Sequence, residues 1–153
     1  GRIINLSSVV GRITFPTMGV YGATKYAVEA LSDALRQELA GFGIKVIIME
    51  PGFVATNLAD ATDGKREPGQ AVPAAYAHLV ATGEEYLAAQ MVKAVAPEKV
   101  ATAIVNAATR RSPRARYLVP ARSKPLITLL SALPDRLADR AKRQALGLGG
   151  SGN

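Results

Sequence analysis

The sequence contains no cysteine and only one histidine, His78. The absence of cysteine excludes disulfides, thiolate nucleophiles and cysteine-ligated metal sites. One histidine provides too few ligands for a typical zinc site, so we predict no metal and interpret His78 as a surface residue. No run approaches the roughly 20 apolar residues of a membrane-spanning helix, and the start lacks the regions of a signal peptide. We expect a cytoplasmic protein.

The composition is otherwise that of a globular domain, with 153 residues, 48% hydrophobic content and a net charge of +7. Residues 110–143 contain ten Lys and Arg against two Asp, a charge of +8 that leaves −1 for the remainder. We interpret this basic tail as a solvated face. The alternative is peripheral contact with an anionic membrane or a protein partner. We predict no nucleic-acid partner.

Apolar periodicity predicts an α/β protein. Residues 2–8 and 44–49 form short apolar runs typical of buried parallel strands. Between them, residues 20–40 repeat apolar side chains at helical spacing, and we expect Gly41 and Gly43 to end that helix. A strand, a helix and a second strand make a right-handed crossover unit.

The rest of the chain predicts further helices and one more strand. Residues 57–96 are broken by proline and glycine into short pieces, with helices expected near 74–80 and 84–95. The remaining predicted elements are a helix at 97–109, a strand at 116–119 and amphipathic helices at 126–132 and 134–146. Residues 147–152 match a Gly-x-Gly-x-x-Gly pattern but lack the flanking strand and helix of a dinucleotide-binding turn. We interpret 147–153 as a flexible tail.

Tyr21 and Lys25 are four positions apart in the first predicted helix, with Ser8 thirteen positions before the tyrosine. A spacing of four places the phenol and the ammonium one turn apart on the same helical face. A nearby positive charge favours the phenolate form of a tyrosine. This pair is therefore suited to proton exchange with an alcohol or a ketone, although a two-residue pattern can also be an ordinary surface pair.

The order of motifs around this pair resembles the short-chain dehydrogenase/reductase family. The motifs are the opening Gly-Arg-Ile-Ile-Asn-Leu-Ser-Ser, then Gly11 and Pro16, residues 21–28, and Pro-Gly-Phe-Val-Ala-Thr at 51–56. The resemblance spans residues 1 to about 120 and corresponds to the C-terminal half of the family. It implies part of a Rossmann-like, doubly wound parallel sheet with a helical lid and C-terminal helices.

The resemblance also implies roles for the three residues. Tyr21 would be the general acid in reduction and the general base in oxidation. Lys25 would favour the phenolate and hydrogen-bond the nicotinamide ribose. Ser8 would donate a hydrogen bond to the substrate oxygen. Ser7 is its competitor, and Asn5 is equally compatible with a structural role and a place in the site.

Together with Tyr21 and Lys25, a second group of residues would bind the cofactor. Pro51 and Gly52 follow the second predicted strand, at the edge of an open α/β sheet where ligands bind, and the alternative interpretation is a plain turn. The resemblance implies that the backbone of Val54 and the hydroxyl of Thr56 bind the nicotinamide carboxamide. The implied cofactor is NADP or NAD. We favour NADP slightly, although the residues that decide this preference lie outside the sequence.

The substrate is expected between the serine–tyrosine pair and a cover formed by residues 57–96. Val10, Phe15 and Phe53 would form an apolar wall, which suits an apolar carbonyl compound or alcohol. The basic tail also resembles that of bacterial relatives of hydroxysteroid dehydrogenases. The family resemblance further predicts a homodimer or homotetramer for the complete protein.

The sequence divides into a catalytic half-domain at 1–121, helices at 122–146 and the tail. We expect the cofactor-binding half to be missing from the chain and the piece alone to be inactive. For the complete protein, the prediction is an NAD(P)-dependent oxidoreductase that interconverts a secondary alcohol and a ketone. The alternative is a related binding or regulatory protein that has lost its chemistry and uses the basic tail.

Overall fold

A computed structural model of the chain describes residues 1–56 and 71–148. Within them, one parallel sheet has three strands in the spatial order β1 (Arg2–Leu6), β2 (Lys45–Pro51) and β3 (Arg116–Val119). Ile4 pairs with Ile47, and Met49 pairs with Tyr117. The three predicted strands are therefore present, and the predicted α/β class is confirmed.

The helices of the described residues are α1 (Gly19–Glu38), α2 (Ala74–Met91), α3 (Pro97–Thr109), α4 (Lys124–Ala132) and α5 (Asp135–Ala145). Pro97 is the first residue of α3, where a missing N–H removes no helical hydrogen bond. After α1, a short 3₁₀ turn at Ala40–Phe42 ends at Gly43, whose φ of 67° lies in the left-handed region. None of the described helices is long and apolar enough to cross a membrane.

The sheet is covered on both faces. Ile47 and Met49 of β2 pack against Ala107 of α3. Glu50, the next residue, shares an ion-pair partner with Glu29 of α1. Because successive side chains of a strand point to opposite faces, α1 and α3 lie on opposite sides of the sheet.

The carboxyl ends of the strands are joined by hydrogen bonds. Beyond β1, the Ser7 N–H donates to the Met49 carbonyl at 2.8 Å. Beyond β2, the Gly52 N–H donates to the Val119 carbonyl, also at 2.8 Å. These bonds bring the segments that follow β1 and β2 to one edge of the sheet, the edge at which open α/β folds bind ligands.

The helix α2 corrects one prediction. Two short helices near 74–80 and 84–95 were expected, but a single helix runs through Gly83. A glycine within a helix costs only about 1 kcal/mol relative to alanine. A Cβ at Gly83 would lie 3.3 Å from Thr17 Oγ1, so the glycine permits close packing. Residues 57–70 of the predicted lid and 149–153 of the predicted tail lie outside the described residues.

Candidate active site

Ser8 lies directly after β1, at the N-cap of the 3₁₀ turn Val9–Gly11. Its side chain is buried, with 8% of the residue exposed. The Ser8 hydroxyl donates to the Pro51 carbonyl at 3.3 Å and accepts from the Val10 N–H at 3.4 Å. Ser8 therefore links the turn after β1 to the end of β2.

Tyr21 and Lys25 lie in the first two turns of α1. The Lys25 ammonium is 5.7 Å from the centre of the Tyr21 ring and donates to the Leu6 carbonyl at 3.3 Å. The end of β1 thus holds the cation beside the phenol. The Tyr21 hydroxyl makes no hydrogen bond with a described residue, so none joins it to Ser8. It is available to a ligand.

Ser7 and Asn5 both contact α1. The Ser7 hydroxyl is 3.5 Å from the Lys25 carbonyl, to which it donates a long hydrogen bond. The Asn5 side-chain amide donates to the Ser32 hydroxyl at 2.8 Å, and Ser32 donates in turn to the Val28 carbonyl at 2.6 Å. These contacts pack the helix on β1, so both Ser7 and Asn5 help to hold α1 against the sheet.

The segment after Gly52 forms a short parallel bridge between Val54 and Val95. The Val95 N–H donates to the Phe53 carbonyl, and the Ala55 N–H donates to the Val95 carbonyl, both at 2.9 Å. In such a bridge, the backbone N–H and C=O groups of successive residues point to opposite sides. The Val54 N–H accordingly donates to no described residue, and Thr56 beside it is exposed.

Phe15 and Phe53, two of the predicted wall residues, both contact Tyr86 of α2. The ring centroid of Tyr86 lies 6.2 Å from that of Phe15 and 6.4 Å from that of Phe53. Burial raises the pKa of the Tyr86 phenol. Val10 is buried but belongs to the turn that Ser8 caps. Tyr86 was not predicted, because the sequence does not show that α2 crosses the segments carrying the two phenylalanines.

Comparison with known proteins agrees with this architecture. The family model for short chain dehydrogenases matches residues 1–67. Human 17-beta-hydroxysteroid dehydrogenase type 6 is 36% identical over an alignment of 148 residues, and the match covers 91% of this chain and 46% of the human protein. The chain belongs to the short-chain dehydrogenase/reductase family.

Further comparisons agree with membership of the short-chain dehydrogenase/reductase family. An uncharacterized oxidoreductase of Schizosaccharomyces pombe is 41% identical over 118 residues, 76% of this chain and 48% of the relative. The crystal structure of a family member from Burkholderia phymatum in complex with NAD superposes with a TM-score of 0.66 at 25% identity, covering 100% of this chain and 51% of that one. The chain spans about half the length of the relatives it matches.

Proposed function

We propose that the complete protein is an NAD(P)-dependent oxidoreductase that interconverts a secondary alcohol and a ketone, and that this chain carries its proton-transfer residues. The observation that carries the proposal is the pairing of Tyr21 with Lys25, whose ammonium lies 5.7 Å from the ring centre. The relatives named above, a hydroxysteroid dehydrogenase and a family member in complex with NAD, support it.

The donors at the carboxyl edge fit a nicotinamide dinucleotide. The Val54 N–H has no acceptor among the described residues and would bind the carboxamide oxygen, with the Thr56 hydroxyl beside it. Lys25 has three N–H donors and gives one to the Leu6 carbonyl, which leaves donors for the ribose hydroxyls. Pro51 and Gly52 form the backbone surface next to them. When bound, the dinucleotide supplies or accepts the hydride.

Tyr21 is the residue that transfers the proton. In reduction its hydroxyl donates a proton to the oxygen of the substrate carbonyl, and in oxidation its phenolate accepts the proton of the alcohol. The Lys25 ammonium stabilises the phenolate electrostatically. Ser8 donates a hydrogen bond to the same substrate oxygen. Its present bond to the Pro51 carbonyl, at 3.3 Å, is long for a hydroxyl donor and is readily exchanged for that interaction.

The apolar wall formed by Val10, Phe15 and Phe53 indicates the class of substrate. Phe15 and Phe53 converge on Tyr86, and Val10 lies in the turn beside Ser8. Apolar and aromatic walls with few polar groups bind apolar ligands. We therefore propose an apolar ketone or secondary alcohol as the substrate.

The test measures the reduction of a panel of apolar ketones by the complete protein with NADPH or NADH. Oxidation of the dinucleotide reports the rate. General acid–base catalysis contributes about 10² to 10⁴-fold, so Tyr21→Phe should lower kcat by at least about two orders of magnitude. Tyr26→Phe, on the same helix and 44% exposed, is the matched control and should leave kcat unchanged.

Two results would count against the proposal. An unmodified protein that binds dinucleotide but reduces no ketone would exclude the proposed reaction and leave a binding or regulatory role. A Tyr21→Phe protein with near-normal kcat would show that the proton comes from another group.

A further inference from the structure

A cluster of charged side chains lies between α1 and the sheet, with Arg116 of β3 at its centre. Arg116 Nε is 3.0 Å from Glu29 Oε2 of α1 and 3.3 Å from Glu50 Oε1 of β2. Its Nη2 is 2.7 Å from both carboxylate oxygens of Asp33. Arg12 Nη1 is 3.8 Å from Glu50 Oε2. A single guanidinium therefore contacts three carboxylates from two elements.

The two glutamates are deeply buried. Glu50 is 1% exposed and Glu29 is 7% exposed. Neither Glu29 Oε1 nor Glu50 Oε1 accepts a hydrogen bond from a described residue, although the Arg116 guanidinium lies beside both side chains. Buried carboxylates of like charge are unfavourable unless a cation compensates them. Arg116 is the closest such cation to each glutamate.

The cluster is continuous with the candidate active site. Glu50 immediately precedes Pro51, whose carbonyl receives the Ser8 hydroxyl. Glu29 follows Lys25 by one turn of α1. The link between Glu29 and Glu50 therefore joins the helix that carries the phenol to the strand end that binds Ser8.

We infer that Arg116 is a positioning residue for the reaction proposed above: by pairing with both Glu29 and Glu50, its guanidinium sets the distance between Tyr21 on α1 and Ser8 beside the end of β2. The inference rests on the proposed function. It gives Arg116 no contact with substrate or cofactor, and it assigns the residue an effect on turnover through the geometry of two other side chains.

The inference predicts a particular dependence on pH. Without the guanidinium, Glu29 and Glu50 repel each other where both are ionised, which moves α1 away from β2. Where one is protonated, it can donate to the other and hold the elements together. The charged groups that act on Glu50 are Glu29 of α1, Arg116 of β3, Arg12 and Lys124 of α4. Asp33 of α1, itself paired with Arg36, shares Arg116 with the two glutamates. The defect should therefore grow as the pH rises.

The experiment uses the complete protein and compares Arg116→Met with Arg111→Met, an exposed arginine five positions earlier that serves as the control. Displacements of about 1 Å lower rates by up to about 100-fold. For Arg116→Met we expect kcat to fall about tenfold or more, with the loss larger at pH 8 than at pH 6 and with dinucleotide affinity within about twofold of normal. Arg111→Met should match the unmodified protein.

A second substitution separates positioning from a general loss of folding. Adding Glu50→Gln to Arg116→Met removes one negative charge and supplies an amide donor to Glu29, so it should recover most of kcat and flatten the pH dependence. If Arg116→Met does not fold, Arg116→Lys replaces it, keeping the charge without the forked donors, and kcat should again fall while dinucleotide affinity stays.

The outcomes are distinct from those that test the proposed function. An unmodified protein without turnover refutes the proposed function, and Arg116 then has no reaction to position. If the unmodified protein is active, a normal kcat and pH profile in Arg116→Met, or in Arg116→Lys where that replaces it, overturns the inference. A loss in Arg116→Met that is equal at every pH and is not recovered by Glu50→Gln also overturns it, because that pattern indicates only a smaller folded fraction.

Discussion

Gly11 occupies the point at which β1, its following turn and α1 come closest together. A Cβ at this position would lie 2.7 Å from Ser7 Oγ, 3.0 Å from the Lys25 carbonyl oxygen and 3.1 Å from Glu29 Cγ. The Lys25 carbonyl is backbone within a helix and cannot turn aside as a side chain would. At the scale of single residues, the absence of a side chain at Gly11 therefore allows the α1 backbone at Lys25 to pack closely on the turn that follows β1.

We expect Gly11→Ala to destabilise the complete protein by about 1–3 kcal/mol, the usual range for overpacking a well-packed site. Gly41→Ala is the matched control, because a Cβ there meets no atom within 4 Å. Urea unfolding measures both free energies. Equal midpoints for the two variants would show that the contacts around Gly11 yield without strain.

Glu50 should give stability a measurable dependence on pH. Burial, and then the negative charge of Glu29, raise the pKa of the Glu50 carboxyl. Folding thus favours its protonated form, so its contribution to stability is fully present below the ordinary glutamate pKa of about 4.3. That contribution is lost as the pH rises through the raised pKa of the folded state.

The test is the difference in unfolding free energy between Glu50→Gln and the unmodified protein across this pH range. The amide cannot ionise, so we expect Glu50→Gln to gain stability relative to the unmodified protein as the pH rises. Glu38→Gln, at an exposed position of α1, is the control. A difference that does not change with pH would mean that Glu50 titrates alike in the folded and unfolded states.

At the scale of elements, α2 contacts the segments that carry Phe15, Thr17 and Phe53 through one aromatic side chain and one glycine. Tyr86 contacts Phe15 and Phe53, and Gly83 lies against Thr17, whose φ of 67° is uncommon for a residue with a side chain. Strained backbone of this kind clusters at functional sites. The helix therefore packs on the loop that contains Phe15 and Thr17.

We expect Tyr86→Ala to raise the KM for an apolar ketone while changing kcat less, because it loosens the cover without touching the proton-transfer residues. An aromatic pair contributes about 0.5–1.5 kcal/mol beyond its buried area, which corresponds to roughly a 2- to 13-fold rise in KM. Tyr76→Ala, on the same helix and 58% exposed, is the control. An unchanged KM in Tyr86→Ala would remove Tyr86 from the substrate wall.

The elements themselves were largely predictable from the sequence. The helix at 97–109 and the strand at 116–119 agree with the structure residue for residue, because proline and β-branched or aromatic residues mark them locally. The helix at 74–91 was divided wrongly because Gly83 signals a break unless its contact with Thr17 is known. Arg116 was counted as part of a basic tail, since its partners Glu29 and Asp33 are 87 and 83 positions away.

At the scale of the whole molecule, the positive charge of residues 110–143 is not all at the surface. Arg116 is half-buried and pairs with Glu29, and Lys142 pairs with Asp139 at 2.9 Å. In α5, Arg136, Arg140 and Arg143 are exposed, while Ala138 is buried. Helical spacing places these three arginines on the side opposite Ala138. An interpretation of this segment as a solvated face therefore applies to α5 and not to β3.

Three large apolar side chains of β1 and α1 are exposed at the surface of the described residues. Val20, Leu31 and Leu6 are 84%, 70% and 51% exposed. In the described residues β1 pairs only with β2, so its other edge presents unpaired backbone groups. Open strand edges beside exposed apolar side chains promote association with other chains. We propose that further strands of the complete protein cover this edge.

A comparison of the isolated 153-residue chain with the complete protein tests this proposal. We expect the isolated chain to self-associate in light scattering, to show no ketone turnover, and to bind dinucleotide far more weakly. The complete protein should form a defined homodimer or homotetramer. The reason is that, in the proposed site, Lys25 and Val54 would donate to the nicotinamide end of the dinucleotide, whereas within residues 1–56 and 71–148 β1 has a neighbouring strand on one side only. An isolated chain that stays monomeric, melts cooperatively and turns over ketone would show that this edge needs no partner strand.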